Sequence, residues 1–158
     1  AKHRNRAMQQ GMQTIQRIFE RFTQPDEPLP STTESSFRVA IPDTNVVLKG
    51  RIDAVFDSEK GSIIVDYKTG SSVTSPEKAK QRATASDQLT MYALAWQLMH
   101  DTLPAILELD FVETGYVGSV SKKQQSITTM VRKITDMQNH IRNGSYPEGD
   151  HAYCTHPY

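Results

Sequence analysis

Apolar positions change their period several times along the 158-residue chain, and each change marks an element. Met12, Ile15, Ile18, Phe19 and Phe22 recur at helical spacing, which predicts a leading helix over about residues 4–23. Pro25, Pro28 and Pro30 end it, because proline lacks the amide donor and restricts its predecessor. From Glu34 the period falls to two: Phe37, Val39 and Ile41 alternate, Pro42-Asp43-Thr44-Asn45 reads as a turn, and residues 46–56 return as a second strand. A turn over residues 57–61 leads to Ile63-Ile64-Val65-Asp66-Tyr67-Lys68, a β-branched run closed by Thr69-Gly70 and read as a central strand.

A polar loop containing Pro76 is expected next. Residues 86–100 then read as a helix capped by Ser86 or Asp87, with Leu89, Tyr92, Ala93, Trp96 and Met99 on one stripe that should lie against the sheet. Residues 105–113 read as a strand and Gly115-Tyr116-Val117 as a turn or short edge strand. Ile127, Val131, Ile134, Met137 and Ile141 mark a final amphipathic helix ending at Asn143-Gly144. The tail, residues 145–158, has no periodicity. This order predicts a single α/β domain over residues 1–158, a mixed central β-sheet flanked by helices whose first strands are antiparallel.

Composition narrows the function classes rather than the fold. Lys plus Arg number 18 and Asp plus Glu 18, so the formal net charge is zero. That excludes a polybasic protein whose global field would by itself supply phosphate affinity, but not an enzyme acting on nucleic acid. No apolar run approaches the roughly 20 residues of a membrane span, and the basic amino terminus leads into Met8-Gln9-Gln10 rather than the apolar core of a secretory signal. A lone cysteine, Cys154, makes no internal disulfide framework, so a reducing cytoplasm is the expected compartment.

The chemistry concentrates on two short runs. Side chains two apart on a strand share a face, so Asp66 and Lys68 project together while Val65 and Tyr67 point the other way. If the neighbouring strand brings Asp53 alongside, two carboxylates converge beside one lysine. Paired carboxylates repel and call for a cation, and their hard oxygens suit Mg²⁺ or Mn²⁺ rather than zinc. Such an ion activates water and neutralises a phosphoryl group, with Lys68 positioning or deprotonating the water or stabilising the pentavalent phosphate. A solvated ion pair at a strand end is the plain alternative. The apolar Ile63-Ile64-Val65 before it weighs towards a buried strand, where an unpaired charge is costly.

Gly50-Arg51-Ile52-Asp53, then Asp66-Tyr67-Lys68-Thr69-Gly70, then Gln88-Leu89-Thr90-Met91-Tyr92-Ala93 together resemble the signature of the RecB-type PD-(D/E)XK nucleases, over about residues 34–158. The family is found at the carboxyl end of RecB, AddA, AddB and some UvrD-like helicases. The resemblance implies a restriction-endonuclease-like fold and a Mg²⁺- or Mn²⁺-dependent DNA nuclease, an exonuclease acting in recombination or repair. It also implies a helicase motor as partner, in cis or in a complex, with this chain its carboxyl-terminal part. By position, Asp53 and Asp66 would be metal carboxylates, the Tyr67 carbonyl a further ligand and Lys68 the catalytic lysine. Gln88 and Tyr92 match the family's Gln-x-x-x-Tyr, one reaching the site or the DNA while the other supports it; Tyr92 also falls on the apolar stripe, as a core aromatic would. Glu34 matches a glutamate before the first strand, where a solvated residue is the alternative.

Lys78, Lys80 and Arg82, in the loop ahead of the Gln88 helix, would contact the DNA backbone, joined by Lys122, Lys123 and Arg142 or forming solvated faces, the reading preferred for Arg132 and Lys133. Two features depart from the family. The upstream histidine that completes the metal site is absent, His3 being the only histidine before Asp53. The tail offers one thiol where a four-iron cluster needs four, and His151, Cys154 and His156 fit no closed zinc pattern. A catalytically silent module of the same fold, gripping DNA or bracing a motor, is therefore the alternative function, and a free-standing nuclease a third.

Overall fold

The computed structural model of the chain describes residues 2–24, 28–70 and 72–145, the side chains of residues 2–4, 6 and 22 excepted. The β-branched run after the second turn forms β3 (Gly61–Lys68), the middle strand of a five-stranded sheet. Its Ile64 is 0% exposed, as continuous apolar sequence predicts for a strand covered on both faces. The hairpin before it is β1 (Thr32–Ala40) and β2 (Val47–Ser58), and the sheet runs β1-β2-β3-β4-β5 with β4 (Ile106–Phe111) and β5 (Tyr116–Val120) on the far side. Only the β3–β4 pair is parallel, registering Asp66 with Leu109 and Tyr67 with Asp110; every other pair is antiparallel. Parallel neighbours need a crossover, and two helices supply it.

The first of these overturns an expectation. Residues 76–85 are not a polar loop but the helix α2 (Pro76–Ala85), so Lys78, Lys80 and Arg82 are helical. Ser75 caps it, its hydroxyl accepting from the Lys78 amide, and Pro76 opens it where no amide donor is needed. What hid the helix is its packing. Its buried residues are Ala79 and Ala83, which lie against β5 at Gly118. A Cβ at Gly118 would fall 2.1 Å from the Ala79 carbonyl oxygen, so backbone meets backbone and no large apolar stripe is required.

Ser86 ends α2 and caps α3 (Asp87–His100), its hydroxyl taking the Leu89 amide. Leu89, Thr90, Tyr92, Ala93, Leu94 and Ala95 are all buried, so α3 has no single stripe. It is sandwiched between the sheet and α4 (Gln124–Asn143), whose Ile127 and Met130 cover its outer side. The expected stripe of α4 is only half used: Met137 and Ile141 are exposed, and the helix ends at Gly144 in the left-handed region.

The leading helix, α1 (Lys2–Phe22), contradicts its amphipathic pattern more sharply. Met8, Met12, Ile15 and Phe19 are 60–68% exposed, while Arg17 donates to the Glu113 carbonyl and Arg21 pairs with the buried Asp110. The helix thus docks by Arg17, Arg21 and the half-buried Ile18, and turns Met8, Met12, Ile15 and Phe19 outward. Phe37, Ile41, Val55, Leu89, Leu107 and Ile127 belong to one core cluster, which joins the sheet, α3 and α4. Among the described residues, no helix is long and apolar enough to cross a membrane. Residues 146–158, with His151, Cys154 and His156, lie outside the described residues.

Candidate active site

The β2–β3 ladder stops at Ala54–Val65, although β2 begins at Val47 and β3 runs on to Lys68. Carried one step further, the register sets Asp53 across from Asp66. There a side chain replaces the backbone: Asp53 Oδ2 accepts the Tyr67 amide at 3.0 Å. The two strands form a fork with Asp53 on one prong and Asp66-Tyr67-Lys68 on the other.

Asp66 is 3% exposed, and α3 supplies the groups that hold it. Its Oδ1 accepts from Gln88 Nε2 at 2.7 Å and from the Tyr92 hydroxyl at 3.2 Å. Its Oδ2 faces the Lys68 ammonium at 2.6 Å in an ion pair, yet this buried oxygen receives no aligned hydrogen bond. Lys68 Nζ in turn donates to Gln88 Oε1 at 2.7 Å. Gln88 therefore bridges the pair, accepting from the cation and donating to the anion. The helical spacing of Gln88 and Tyr92 puts both on the face towards β3, and Gln88 Nε2 lies 2.9 Å from the Tyr92 hydroxyl.

Tyr92 ties this cluster to β2. Its hydroxyl lies 2.9 Å from the Arg51 carbonyl, and its ring meets Phe37 edge to face at 6.1 Å. Burial, with smaller contributions from Asp66 and Asp53 against an opposing hydrogen bond from Gln88, pushes its phenol up to about 12, so it stays a donor at neutral pH. The core aromatic and the site residue are one and the same.

Other sequence-derived candidates are placed differently. Glu34 lies inside β1, two residues past its start, and not before it; it has φ 50°, outside strand geometry, and pairs with Arg51 at 3.2 Å in solvent. Such a strained non-glycine residue is costly, and it interrupts the β1–β2 register between the Thr33–Ala54 and Ser35–Ile52 pairs, whose β2 members flank Asp53 in sequence. Lys78 bonds Thr74 Oγ1 at 3.0 Å, and Lys80 and Arg82 are exposed on α2; none of the three joins the cluster. Lys122 donates to the Thr84 carbonyl at 2.9 Å, burial lowering its pKa, and Lys133 pairs with Asp87.

Sequence reasoning missed Asp110, fully buried on β4 in register with Tyr67 and paired with Arg21; a carboxylate in the apolar run Ile106–Phe111 was the available signal. Among the described residues, no three His, Cys, Asp or Glu side chains are grouped as a metal cage. Asp53 and Asp66 still suit Mg²⁺ or Mn²⁺, which is usually bound by one or two carboxylates together with water and substrate phosphate. The buried Asp66 Oδ2, which faces the Lys68 ammonium but receives no aligned hydrogen bond, is the acceptor such an ion would use.

Comparison with known proteins gives a match over nearly the whole chain. A sequence profile described as the PD-(D/E)XK nuclease superfamily matches residues 2–156. No curated protein matches. A solved structure titled "Crystal structure of SSO0001" is 18% identical, with a TM-score of 0.36, over 74% of this chain and 52% of that one. The chain thus spans about half the length of that structure.

Proposed function

The chain belongs to the PD-(D/E)XK nuclease superfamily, and on that premise we infer that it hydrolyses DNA phosphodiesters with Mg²⁺ or Mn²⁺ at the fork between β2 and β3. The observation that carries this reading is the convergence of Asp53, Asp66 and Lys68, with Gln88 bridging the last two. Asp53 and Asp66 would hold the ion, with the Tyr67 carbonyl as a further ligand. A divalent ion in such a site lowers the pKa of water and neutralises charge on a phosphoryl oxygen.

The chain's own residues do the rest. The Lys68 ammonium, oriented by Gln88 and Asp66, stabilises the charge that builds up on the phosphate. Gln88 fixes the direction of that ammonium, and Tyr92 anchors Asp66 to β2 so the prongs keep their spacing. Glu34, Lys78, Lys80 and Arg82 are assigned to supporting or backbone contacts, which position DNA without reading its sequence.

Zero net charge gives an isolated domain little affinity for DNA. Tethering to a DNA-bound helicase would raise its effective concentration, and this favours a single nuclease domain at the carboxyl end of a larger cytoplasmic helicase–nuclease, an exonuclease of recombination or repair. The absence of a third carboxylate or imidazole from the cluster among the described residues favours a second reading, a silent module of the same fold that grips DNA or braces the motor.

Incubation with single- and double-stranded DNA and Mn²⁺ or Mg²⁺ decides between them. Cleavage that is lost in both Asp66→Ala and Lys68→Ala supports the nuclease. No cleavage together with no Mn²⁺ binding by the unaltered chain overturns it.

A further inference from the structure

Beside the catalytic cluster lies a cavity of about 200 Å³ that the cluster itself does not use, lined by Phe37, Leu48, Lys49, Gly50, Gln88, Met91 and Tyr92. Phe37 and Gly50 are cross-strand partners, and a Cβ on Gly50 would fall 2.5 Å from the tip of the Phe37 ring. The missing side chain lets the ring lie over the β2 backbone and form an apolar wall. Leu48 and Met91 are only half-buried, so they close the cavity without filling it. The wall towards the active site is Gln88 and Tyr92, the same two side chains that hold Asp66 and Lys68.

Resting on the nuclease reading above, we propose that this cavity seats the unpaired base of the nucleotide next to the attacked phosphate, which makes single strands or frayed ends the substrate. Two observations and one physical argument support it. The volume lies below the roughly 300 Å³ at which pockets for drug-sized ligands begin, so it takes one heterocycle rather than a nucleoside with its phosphates. The walls are apolar and the rim carries an exposed lysine, Lys49, which suits an uncharged planar ring joined to a phosphodiester. A base reaches a cavity of this kind only by leaving its stack, which costs least in a single strand.

The same walls exclude sequence reading. Gln88 Oε1 accepts from Lys68 and its Nε2 faces Asp66 and Tyr92, while the Tyr92 hydroxyl is shared between Arg51 and Asp66. With those groups engaged, the cavity offers a base contact area but little hydrogen-bond code, so all four bases are accepted.

The test pairs two probes of equal charge, the pentanucleotide dT5 and a pentamer of abasic deoxyribose phosphates, titrated into the ¹⁵N-labelled chain with Ca²⁺ present. Amide shifts at Leu48, Gly50 and Met91 that appear with dT5 and not with the abasic pentamer support the base site. Equal shifts with both probes, or none at these amides, overturn it whether or not the chain cleaves DNA. Cleavage in Mn²⁺ is scored separately, so failure of the nuclease reading is distinguished from failure of the pocket. Met91→Trp, which fills the cavity, is expected to weaken dT5 binding about tenfold while leaving abasic binding unchanged, with Met91→Leu close to the unaltered chain. Unchanged dT5 affinity in Met91→Trp also overturns the proposal.

Discussion

The carboxylate of Asp53 takes the backbone amide of Tyr67 at the point where β2 and β3 stop pairing. One side chain thereby serves as a ladder bond at the crotch of the fork and as a charge facing Asp66. The two roles separate by substitution. Asp53→Asn keeps an oxygen for the amide and should retain stability while losing Mn²⁺ affinity and cleavage. Asp53→Ala should lose these and also about 1 kcal/mol of stability, since the Tyr67 amide is left without its acceptor. Urea denaturation and Mn²⁺ titration of the two variants check the pair; equal stability in both would remove the structural role.

Gln88 bonds both Lys68 and Asp66, so on the nuclease reading it would act on catalysis through them. Gln88→Leu should lower kcat by about 10- to 100-fold with little change in KM, the usual cost of losing a group that orients residues around a metal site. Gln88→Glu is the sharper variant. It keeps an acceptor for Lys68 but sets a second carboxylate against Asp66 Oδ1. Activity should then return as pH falls and the new carboxyl takes up a proton to donate. A pH–rate profile no different from that of Gln88→Leu would count against the bridge.

The Tyr92 phenol is pushed from 10.0 up to about 12, chiefly by burial. A raised folded-state pKa means that the folded form holds the proton more tightly. The associated stability is fully present below about pH 10 and is lost as pH rises through about 12. The melting temperature of the unaltered chain should therefore fall faster than that of Tyr92→Phe across this window. Below pH 10 the gap between the two should stay constant. A constant gap through the alkaline range would show that the hydroxyl is not held as described.

Much of the architecture was legible because burial and period agree in β3, where Ile64 and Val65 run into Asp66. The fork was legible as chemistry, through Asp53, Asp66 and Lys68, but its geometry was not, because the end of a ladder leaves no mark on strand periodicity. Helix α2 was missed for a different reason. Ser75-Pro76-Glu77 is a helix start, with hydroxyl cap, proline at the first position and acid in the first turn, but it opens a stretch whose polar composition reads as a loop. Its buried face is Ala79 and Ala83, which carry almost no apolar signal, and the partner surface is a glycine some forty residues away. Gly118→Ala tests that packing. Its Cβ would meet main-chain atoms of Ala79 at 2.1 and 2.5 Å, so α2 must shift, at a cost of about 1–3 kcal/mol by chemical denaturation. A cost near zero would mean that α2 is not seated there.

The outward stripe of α1 was unreadable from its own periodicity, because the residue that fixes the helix lies on β4. Asp110 is 0% exposed, its Oδ2 pairs with Arg21, and its Oδ1 has no hydrogen-bond partner. The two partners are unequal: the carboxylate is enclosed, whereas the Arg21 side chain is 41% exposed. Removing the cation should therefore cost more than removing the anion. Arg21→Met leaves a charge in the sheet with its ion pair broken, a loss below the roughly 3–5 kcal/mol of a fully buried pair because the cation is partly solvated. Asp110→Asn leaves Arg21 access to water and should cost less. With both changed, no buried charge remains, and stability should recover most of what Arg21→Met loses. A double-mutant cycle by urea denaturation reads this out. Additive losses would show that the pair does not anchor α1, and that the exposure of Met8, Met12, Ile15 and Phe19 has another cause.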